Sequence, residues 1–594
     1  MINALGVKTM LKKYSSEKNV QMLIALLKAH NIKEIVVSPG ATNVSFVASC
    51  QQDDFFKLYS CVDERSAAYI ACGLAAETNQ PVVLSCTGAT ASRNYLSGLT
   101  EAFYRKLPVL AVTSSRPSGW IGHDIQQVTD RRCPPPDTAL MSAQIPIIHD
   151  ADEEWAYGVK INEALLELRH RGGGPVHINL ETEYSYDFSA EELPAVPAIY
   201  RVCYEDVLPS MIHGKIGICV GAHKAWDEEL TNAVDAFCEK YDAVVLCDQT
   251  SNYRGKYRVL LTMVCSQKGK RSGLCDFDLL IHIGDVSGAT FNFNTSEVWR
   301  VCEDGKVKDT FRKLRMVFEM SEKFFFQYYA NENVPAREMT QYALWKQESL
   351  RLYSMIPELP FSNLWVAKNT VQRLPENAIL HMGIYNTLRS WDFFETPASV
   401  NCYCNTGGFG IDGNISTLLG AALARPSQLC VGVVGDLSFF YDMNVLGNRH
   451  MMPNLRLIII NNGKGTEFRQ HINRAYQFGE DTDAFIAAAG HYGNQSKELV
   501  RHYAEDLGFD YMCASDKEEY LDVIDAFLSV ANKERPIVLE VFTDSRQENE
   551  ALWFIRTVDR AKYEEYPQTN VVKKFAKKVL GEKGVDTVKK LINR

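Results

Sequence analysis

Short apolar runs rich in β-branched residues alternate along the chain with longer segments of helical periodicity. In the first third, the runs IKEIVVSPG, QPVVLSCTG and LPVLAVTSSRP each end in Gly, Ser or Pro, and ERSAAYIACGLAAE has the apolar spacing of a helix. Continuous apolar runs of this length are typical of strands that are buried on both faces of a parallel sheet. The pattern therefore predicts an α/β fold of doubly wound parallel sheets.

The same alternation returns twice further along the chain. A middle block contains KIGICVGA, YDAVVLCDQTS and FDLLIHIGD, and a last block contains NAILHMG, QLCVGVVGD, LRLIIINN and PIVLEVFTD. No strand of the middle block leads into a G-x-G-x-x-G turn, so a dinucleotide site there is not supported. We expect three α/β domains at 1–190, 200–350 and 355–560, a charged helical segment at 311–352, and a basic tail at 561–594. The first and last blocks are expected to share a similar architecture.

Length and charge narrow the class of protein. At about 150 residues per domain, the 594 residues suggest three or four domains. The net charge of −10 gives no global positive field that would collect nucleic acid or anionic lipid. No apolar stretch approaches the roughly 18 residues of a membrane span. We therefore expect a cytoplasmic protein that binds neither nucleic acid nor membranes, with the basic tail as a solvated terminal helix.

The segment VGVVGDLSFFYDMNVLGNRHMMPNLRLIIINNGKGTEF carries the clearest chemical signal. Its two strands bracket one helix that is expected to begin near Ser438, and a right-handed crossover places both carboxyl ends at the same sheet edge. Asp436 and Asn462 should then face one crevice. A carboxylate, an amide oxygen and a backbone carbonyl of the 463–465 turn would suit Mg²⁺. G-D and N-N-G are each common turns, but their joint spacing favours a cation site over two unrelated turns.

This pairing of G-D with a later N-N resembles the thiamine-diphosphate signature of the 2-oxo acid decarboxylase and acetohydroxyacid synthase superfamily. GDLSFFYDMN and NTGGFGIDGNISTLLG are most similar to the menaquinone-pathway family of 2-succinyl-5-enolpyruvyl-6-hydroxy-3-cyclohexene-1-carboxylate (SEPHCHC) synthases. That family decarboxylates 2-oxoglutarate and adds the resulting carbanion to isochorismate. The resemblance covers the first and last blocks, including SPG, DER, a T-x-x-RP strand end and IDG-x-x-ST, and is only architectural in the middle block.

The resemblance implies thiamine diphosphate and Mg²⁺ as cofactors. It implies Asp436, Asn462 and the carbonyl of Lys464 as Mg²⁺ ligands, and Glu64 as the catalytic residue that hydrogen-bonds the pyrimidine N1′ of the cofactor. Without the resemblance, Glu64 would be interpreted as an acidic residue that favours the helix dipole. The implied cofactor contacts are Thr87, Gly88, Ile411, Gly435, Asp436, Leu437, Ser438, Asn462 and Thr466. The family also implies a homodimer or homotetramer with the active site between subunits.

The substrate positions that the resemblance implies are Arg116, Gln127 and Arg389, with Gln127 also counted as catalytic. Arginine suits a carboxylate because its planar fork donates two parallel hydrogen bonds. The other interpretation of each arginine is a surface salt bridge, which is nearly as plausible for Arg389 as substrate binding. His123 lies beside these positions, and a structural role is favoured over a proton relay because the His-His pair of pyruvate decarboxylases is absent.

Two departures from the family pattern concern the substrates. SPGSR appears here as SPGAT, so Thr42 replaces an arginine, and NRG-x-x-GIDG appears as NTGGFGIDG, so Thr406 replaces another. Losing a buried bidentate pair costs about 2 to 5 kcal/mol in binding. We therefore expect the family's mechanism with a less acidic donor, acceptor or both, such as pyruvate and an aldehyde or ketone.

The functional expectation is a carboligase, a transferase that decarboxylates a 2-oxo acid and transfers the acyl carbanion equivalent to a carbonyl or enoyl acceptor. A simple 2-oxo acid decarboxylase or an acetolactate-type synthase is the alternative within enzymes. The alternative of another class is a non-catalytic homologue that binds the cofactor for structure or regulation. The presence of Glu64, Asp436 and Asn462 argues against this last alternative.

Overall fold

The computed structural model describes residues 13–269, 271–289, 291–491, 495–531 and 534–559. The basic tail expected at 561–594 lies outside these residues. The described chain consists of parallel strands that alternate with helices, which confirms the predicted α/β class. It divides into two compact units, the first made of Met1–Leu208 with Glu297–Met320 and the second of Pro209–Ser296 with Ser321–Arg594.

The first unit contains a six-stranded parallel sheet in the order β2-β1-β3-β4-β6-β5. The runs VVLSCT and VLAVTSS form its central strands β3 and β4 and are buried on both faces, as their continuous apolar character predicts. The strands are β1 (Glu34–Val37), β2 (Lys57–Ser60), β3 (Val82–Thr87), β4 (Val109–Ser115), β5 (Ser142–Ile145) and β6 (Val176–Glu181). The helices are α1 (Lys18–Ala29), α2 (Val44–Gln51), α3 (Glu64–Thr78), α4 (Thr90–Asn94), α5 (Leu96–Arg105) and α6 (Ala151–Glu167).

Three further strands pair in parallel, β12 (Asn294–Val301) with β13 (Leu314–Glu319) and β13 with β7 (Tyr200–Cys203). All of them belong to the first unit from Glu297 onward and up to Leu208, and only the start of β12 precedes Glu297. The helical prediction for 311–352 is wrong over β13. Leu314, Val317 and Phe318 are buried in this strand, but the many charged residues around them obscure the apolar pattern from which a strand is predicted. Helices α9 (Glu322–Ala330) and α10 (Gln341–Ser354), which belong to the second unit, account for most of the rest of that segment.

The second unit begins with four parallel strands in the order β10-β9-β8-β11. They are β8 (Ile216–Val220), β9 (Val244–Cys247), β10 (Arg258–Leu260) and β11 (Asp276–Ile283), with helices α7 (Glu228–Tyr241) and α8 (Thr262–Cys265). The predicted strands KIGICVGA, YDAVVLCDQTS and FDLLIHIGD correspond to β8, β9 and β11, and β8 and β9 are buried at every position.

The second unit also contains the last parallel sheet, in the order β15-β14-β16-β17-β19-β18. Its strands are β14 (Ile379–Met382), β15 (Asn401–Cys404), β16 (Cys430–Gly435), β17 (Leu455–Asn461), β18 (Asp510–Ala514) and β19 (Ile537–Phe542). Its helices are α11 (Asn363–Thr370), α12 (Asn386–Trp391), α13 (Asn414–Ala424), α14 (Asp436–Asp442), α15 (Leu499–Asp506), α16 (Lys517–Phe527) and α17 (Ser545–Arg556).

The first and last sheets have the same topology. When the strands of each are numbered from one, both sheets run 2-1-3-4-6-5. This confirms the expected similarity between the first and last blocks. Among the residues that the structure describes, every helix falls short of the length and apolar character that a bilayer crossing needs.

Candidate active site

Asp436 and Asn462 lie at one edge of the last sheet, as the crossover argument predicts. β16 and β17 are parallel neighbours, with Gly435 opposite Ile460, so the residues that follow them emerge together. Helix α14 begins at Asp436, two residues earlier than predicted. The Asp436 side chain is buried, and this burial raises its pKa to about 7 although the backbone N–H groups of Leu437 and Gly463 donate to it. The Gly463 contact joins the ends of the two strands.

The turn after β17 holds further oxygen atoms in place. Thr466 Oγ1 donates to Asn462 Oδ1 at 2.7 Å, and the Thr466 N–H donates to the carbonyl of Lys464 at 2.8 Å. Gly463 has φ +76, in the left-handed region that favours glycine. The Lys464 ammonium is paired with Asp483 at 2.6 Å, so this side chain is engaged away from its own carbonyl.

These residues fit a hard divalent cation by their chemistry. Asp436, Asn462 and Lys464 contribute a carboxylate, an amide oxygen and a backbone carbonyl, which are oxygen ligands of the kind that Mg²⁺ takes. A buried carboxylate is costly unless a positive charge offsets it. Within the described part of the chain, no Lys, Arg or His nitrogen lies within ion-pair distance of Asp436, so a bound cation would supply that charge.

A second segment is fixed beside the start of α14. Ser438 Oγ donates to the carbonyl of Ile411 at 2.6 Å, and Asn414 Nδ2 donates to the same carbonyl at 2.9 Å and to Ser438 Oγ at 2.9 Å. These bonds place Ile411 next to α14 and leave its side chain half-buried. Sequence reasoning did not single out Asn414. Its position directly after the IDG motif was the one signal that it could hold this loop.

Arg389 forms an ion pair. Its guanidinium donates to both carboxylate oxygens of Glu467, at 2.5 and 3.2 Å, and to Gln470 Oε1 at 2.8 Å. The salt-bridge interpretation therefore holds in this structure, and a substrate carboxylate would have to compete with Glu467. Thr406, where the family pattern has an arginine, is buried, and its N–H donates to the carbonyl of Cys404 at 2.7 Å.

In the first unit, Glu64 is the first residue of α3, and Asp63 caps the helix through the N–H groups of Arg65 and Ser66. Glu64 is half-buried, and Asn94 Nδ2 donates to its Oε2 at 3.1 Å. Asn94 is the last residue of α4, so this neutral contact orients the carboxylate across two helices. Sequence reasoning gave no role to Asn94.

Thr42 joins the ends of three neighbouring strands of the first sheet. Its hydroxyl contacts Thr87 Oγ1, donates to the carbonyl of Ser114 at 2.8 Å and accepts from the N–H of Gly88 at 3.3 Å. The side chain is only 4% exposed. A side chain as large as arginine cannot occupy this place without displacing these groups. The contacts of Thr42 therefore accompany the departure from SPGSR.

Arg131 brings a buried guanidinium to the same sheet edge. A Cβ at Gly88 would lie 3.3 Å from Arg131 Cζ, so Gly88 permits this close approach. Arg131 Nη2 donates to Asn179 Oδ1 at 2.7 Å, whereas Nη1 is buried with no hydrogen-bond partner among the described residues. Burial lowers the Arg131 pKa, and burial together with Arg131 lowers the His177 pKa to about 3. Sequence reasoning missed Arg131, because nothing in the RRC triplet separates it from the exposed Arg132.

Arg116 directly follows β4 and stacks on aromatic rings. Its Cζ lies 3.8 Å from the ring centroid of Tyr184 and 5.3 Å from that of Trp120. In the described ranges, no carboxylate lies within ion-pair distance of Arg116, so the salt-bridge interpretation does not hold for it. Gln127 and His123 are exposed in the loop that follows, and Gln127 has φ +61, a strained conformation for a residue other than glycine.

Two family models match the chain. The N-terminal thiamine pyrophosphate binding domain of thiamine pyrophosphate enzymes matches residues 18–132, and the C-terminal domain of the same enzymes matches residues 387–541. The first match contains Glu64 and Thr87, and the second contains Asp436 and Asn462.

Curated relatives span nearly the whole chain. The 2-succinyl-5-enolpyruvyl-6-hydroxy-3-cyclohexene-1-carboxylate synthase of Phocaeicola vulgatus is 32% identical over 91% of this chain and 98% of the relative. The synthase of the same name from Bacteroides fragilis is 31% identical over 90% and 98%. A solved structure, the thiamine diphosphate-dependent 4-hydroxybenzoylformate decarboxylase of Rhodococcus jostii RHA1, aligns with a TM-score of 0.40 and 16% identity over 89% of this chain and 99% of that one.

Proposed function

The chain belongs to the thiamine pyrophosphate enzymes, in the family of the SEPHCHC synthases, and on this premise we propose that it is a Mg²⁺- and thiamine-diphosphate-dependent carboligase. It decarboxylates a 2-oxo acid and joins the remaining acyl group to a carbonyl or enoyl acceptor. The observation that carries the proposal is the sheet edge at which buried Asp436 meets the turn of Asn462 and Lys464. The proposed enzyme is cytoplasmic. It assembles as a homodimer or homotetramer, and sedimentation velocity tests this oligomeric state.

In the proposal, Asp436, Asn462 and the carbonyl of Lys464 hold Mg²⁺. The cofactor contacts are Glu64, Thr87, Gly88, Ile411, Gly435, Leu437, Ser438 and Thr466. When bound, thiamine diphosphate supplies an acidic thiazolium carbon and an electron sink for the bonding pair that the departing CO₂ leaves behind. The protein has to bind the cofactor, orient the substrate and keep water away from the reacting atoms.

Glu64 holds a proton at the N1′ atom of the cofactor pyrimidine. The hydrogen bond from Asn94 keeps its carboxylate in one orientation without adding charge, which supports this role. Arg116 binds a substrate carboxylate with the N–H groups around its guanidinium edge, since its faces contact Tyr184 and Trp120. The two rings also cover apolar surface beside the guanidinium and help to exclude water. Gln127 orients the substrate from its strained position in the loop.

The substrates carry less total negative charge than those of the SEPHCHC synthase pattern. Thr42 and Thr406 each stand where that pattern has arginine, and the hydrogen bonds of Thr42 leave no room for a long cationic side chain. The donor class is therefore a small 2-oxo acid, and the acceptor class is an aldehyde, a ketone or an enoyl compound.

The test is a panel of 2-oxo acids, each with and without an aldehyde, ketone or enoyl acceptor, incubated with the purified full-length protein, Mg²⁺ and thiamine diphosphate. Release of CO₂ together with a product of longer carbon skeleton is expected. CO₂ with free aldehyde would identify a simple decarboxylase instead, and no CO₂ from any acid would identify a non-catalytic homologue. Glu64→Gln should abolish turnover and leave cofactor binding largely intact, whereas Glu77→Gln, at an exposed position of the same helix, should match the wild type.

A further inference from the structure

Two aromatic side chains meet at the edge of the last sheet that carries the candidate metal ligands. Tyr385 follows β14 and Phe409 follows β15, and β14 pairs in parallel with both β15 and β16, so these strands end at one edge. The two rings pack edge to face, with their centroids 5.7 Å apart and an interplanar angle of 79°. Tyr385 is 40% exposed and Phe409 is half-buried, so this aromatic pair keeps apolar surface that a ligand can cover. Sequence reasoning gave neither residue a role.

Both residues of the aromatic pair have strained backbone conformations. Tyr385 has φ +62 and ψ −112, and Phe409 has φ +54. A positive φ is an outlier for a bulky side chain and persists only where the surrounding structure enforces it. Among the described residues, the other aromatic residue with a positive φ is Tyr184, whose ring stacks on Arg116. All three aromatic residues lie within five residues of the carboxyl end of a strand, where parallel sheets bind ligands, so the strain points to a ligand-binding role for the rings.

Short segments connect the aromatic pair to the proposed cofactor contacts. Phe409 lies two residues before Ile411, whose carbonyl accepts a hydrogen bond from the first turn of α14. Two residues before Tyr385, the Gly383 N–H donates to the carbonyl of Val433 at 2.7 Å. Val433 belongs to β16, the strand that leads into the candidate metal ligands. The two rings therefore lie close to the place where the cofactor is proposed to bind.

The charges around the aromatic pair favour an uncharged ligand. Thr406, where the family pattern has an arginine, is buried three residues before Phe409. The Arg389 N–H donates to the carbonyl of Tyr385 at 2.9 Å, but the guanidinium of Arg389 is paired with Glu467. Position 406 thus offers no positive charge, and the charge at position 389 is already engaged. The two rings instead offer apolar surface, which gains free energy when a ligand removes it from water.

We propose that Tyr385 and Phe409 bind an apolar, flat substituent of the acceptor, so that the acceptor class is an aromatic aldehyde or ketone. This inference rests on the proposed function and deepens it. The proposed donor is a small 2-oxo acid, which has no group large enough to cover the two rings, so the substituent belongs to the acceptor. A flat ring can stack on one member of the pair and meet the other edge-on, which are the arrangements that aromatic groups prefer.

The binding test uses benzamide, an uncharged aromatic compound that does not react as an acceptor, and acetamide, its aliphatic counterpart. Ligand-observed NMR titrations measure both with the full-length protein, with and without Mg²⁺ and thiamine diphosphate. Benzamide should bind the wild type at least about tenfold more tightly than acetamide, because a phenyl ring buries more apolar area than a methyl group. Tyr385→Gly and Phe409→Asn should each weaken benzamide binding by about fivefold. Tyr385→Phe keeps the ring and should retain benzamide binding.

Thermal unfolding separates ligand binding from simple packing. Glycine adopts a positive φ without strain and asparagine tolerates it, so Tyr385→Gly and Phe409→Asn should leave Tm unchanged or raise it. The matched control is Tyr328→Ala, which removes a 37% exposed tyrosine from α9 together with its edge contact to Tyr329. This control should bind benzamide as the wild type does and should lower Tm, because its ring lies on ordinary helical backbone.

Turnover then identifies which substrate carries the ring. With pyruvate as donor, kcat/KM should be at least about tenfold higher for benzaldehyde than for acetaldehyde as acceptor, and this ratio should fall toward one in Tyr385→Gly. A Tyr385-dependent preference for phenylpyruvate over pyruvate as donor would overturn the assignment to the acceptor.

The inference is also overturned if benzamide binds the wild type no better than acetamide, or if Tyr385→Gly and Phe409→Asn bind benzamide as the control does. A fall in Tm larger than that of Tyr328→Ala would assign the rings to packing and would overturn it as well. Benzamide binding requires no turnover, so these outcomes are separate from that of the proposed function. A carboligase that ignores the ring disproves the role of the pair alone, whereas a protein that prefers benzamide through the pair but releases no CO₂ disproves the proposed function.

Discussion

The first and last sheets share one strand order, but a buried arginine lies at the edge of the first, and a buried carboxylate without a cationic partner among the described residues lies at the edge of the last. At the last sheet, the buried carboxylate of Asp436 meets carbonyl and amide oxygens and has no cationic side chain beside it in the described chain. At the first sheet, the guanidinium of Arg131 is buried and that of Arg116 is stacked on rings. Topology determines where loop residues converge, and the few residues after each strand determine whether the edge binds a cation or an anion.

The largest effect is expected at the edge of the first sheet, from replacing Thr42 by the arginine that the family pattern has at this position. Thr42→Arg buries a long cation among Thr87, Ser114 and Gly88, so we expect a loss of about 4 kcal/mol in unfolding free energy. Denaturant unfolding of wild type and variant measures it. Thr78→Arg, at an exposed position of α3, is the control. A variant as stable as the control would show that the edge adapts to a cation and that Thr42 does not set its shape.

One buried titratable group in each unit, Glu548 in α17 and His177 in β6, should make folding stability depend on pH in opposite directions. Burial raises the Glu548 pKa from 4.5 to about 7 and lowers the His177 pKa from 6.5 to about 3. The folded state keeps the Glu548 proton more tightly than the unfolded state does, so this contribution to stability is lost as pH rises from about 4.5 to 7. The His177 contribution is lost as pH falls from about 6.5 to 3.

Glu548→Gln isolates the acidic member of this contrast. The amide oxygen can still accept from the Asn363 N–H and from Thr543 Oγ1, while the cost of the buried charge disappears. We expect a gain of up to about 3 kcal/mol in unfolding free energy at pH 8 and none at pH 4.5. Thermal unfolding of wild type and variant across this range measures the difference. A constant offset at all pH values would mean that Glu548 does not titrate in this window.

The last edge is tested through its metal requirement. Asp436→Asn removes the charge and keeps an amide oxygen, so the Mg²⁺ concentration needed for half-maximal cofactor binding should rise by on the order of 100-fold. Titration with Mg²⁺, followed by quenching of tryptophan fluorescence on cofactor binding, measures it. Asp506→Asn, at an exposed position of α15, should behave as the wild type. An unchanged requirement in Asp436→Asn would contradict a cation site at this edge.

The smallest effect is expected at Arg131. Arg131→Met removes a buried cation that has no acidic partner among the described residues and gives up one hydrogen bond to Asn179. The two changes oppose each other, and we expect the variant to be more stable by about 1 kcal/mol. Arg132→Met breaks the exposed contacts of the neighbouring residue with Asp130 and serves as the matched control. A marked loss of stability specific to Arg131→Met would show that its charge is offset within the fold.

The sequence predicted the elements that long apolar runs define. β16 and β17 coincide with the predicted runs QLCVGVVGD and LRLIIINN, because Gly435 and Asn461 close continuous buried stretches. It predicted that Asp436 and Asn462 share an edge, because that follows from crossover handedness alone. β13 escaped prediction, since a six-residue strand that itself includes Arg315 and Glu319 and lies amid charged residues carries little apolar pattern.

The features that depend on distant partners were not accessible in the same way. Thr42 has a structural role only because Thr87 and Ser114 lie beside it, and the Arg389 pair with Glu467 joins residues far apart in the chain. The Lys268 N–H donates to the carbonyl of Arg556 at the end of α17, a contact between distant segments that no local pattern describes. Local sequence thus predicts strands and the sheet edges at which they end, whereas contacts between distant segments require knowledge of which segments meet.

The first compact unit is not continuous in sequence, and this affects the order in which the protein can be completed during synthesis. Its second piece, Glu297–Met320, includes Glu319, which pairs with His170 and Arg171 from the first piece. A ribosome must therefore translate the whole of 209–296, which belongs to the other unit, before those basic residues meet their carboxylate. A nascent chain released before Met320 would expose an unfinished unit to chaperones and proteases, and gene fragments cut at Leu208 would inherit the same defect.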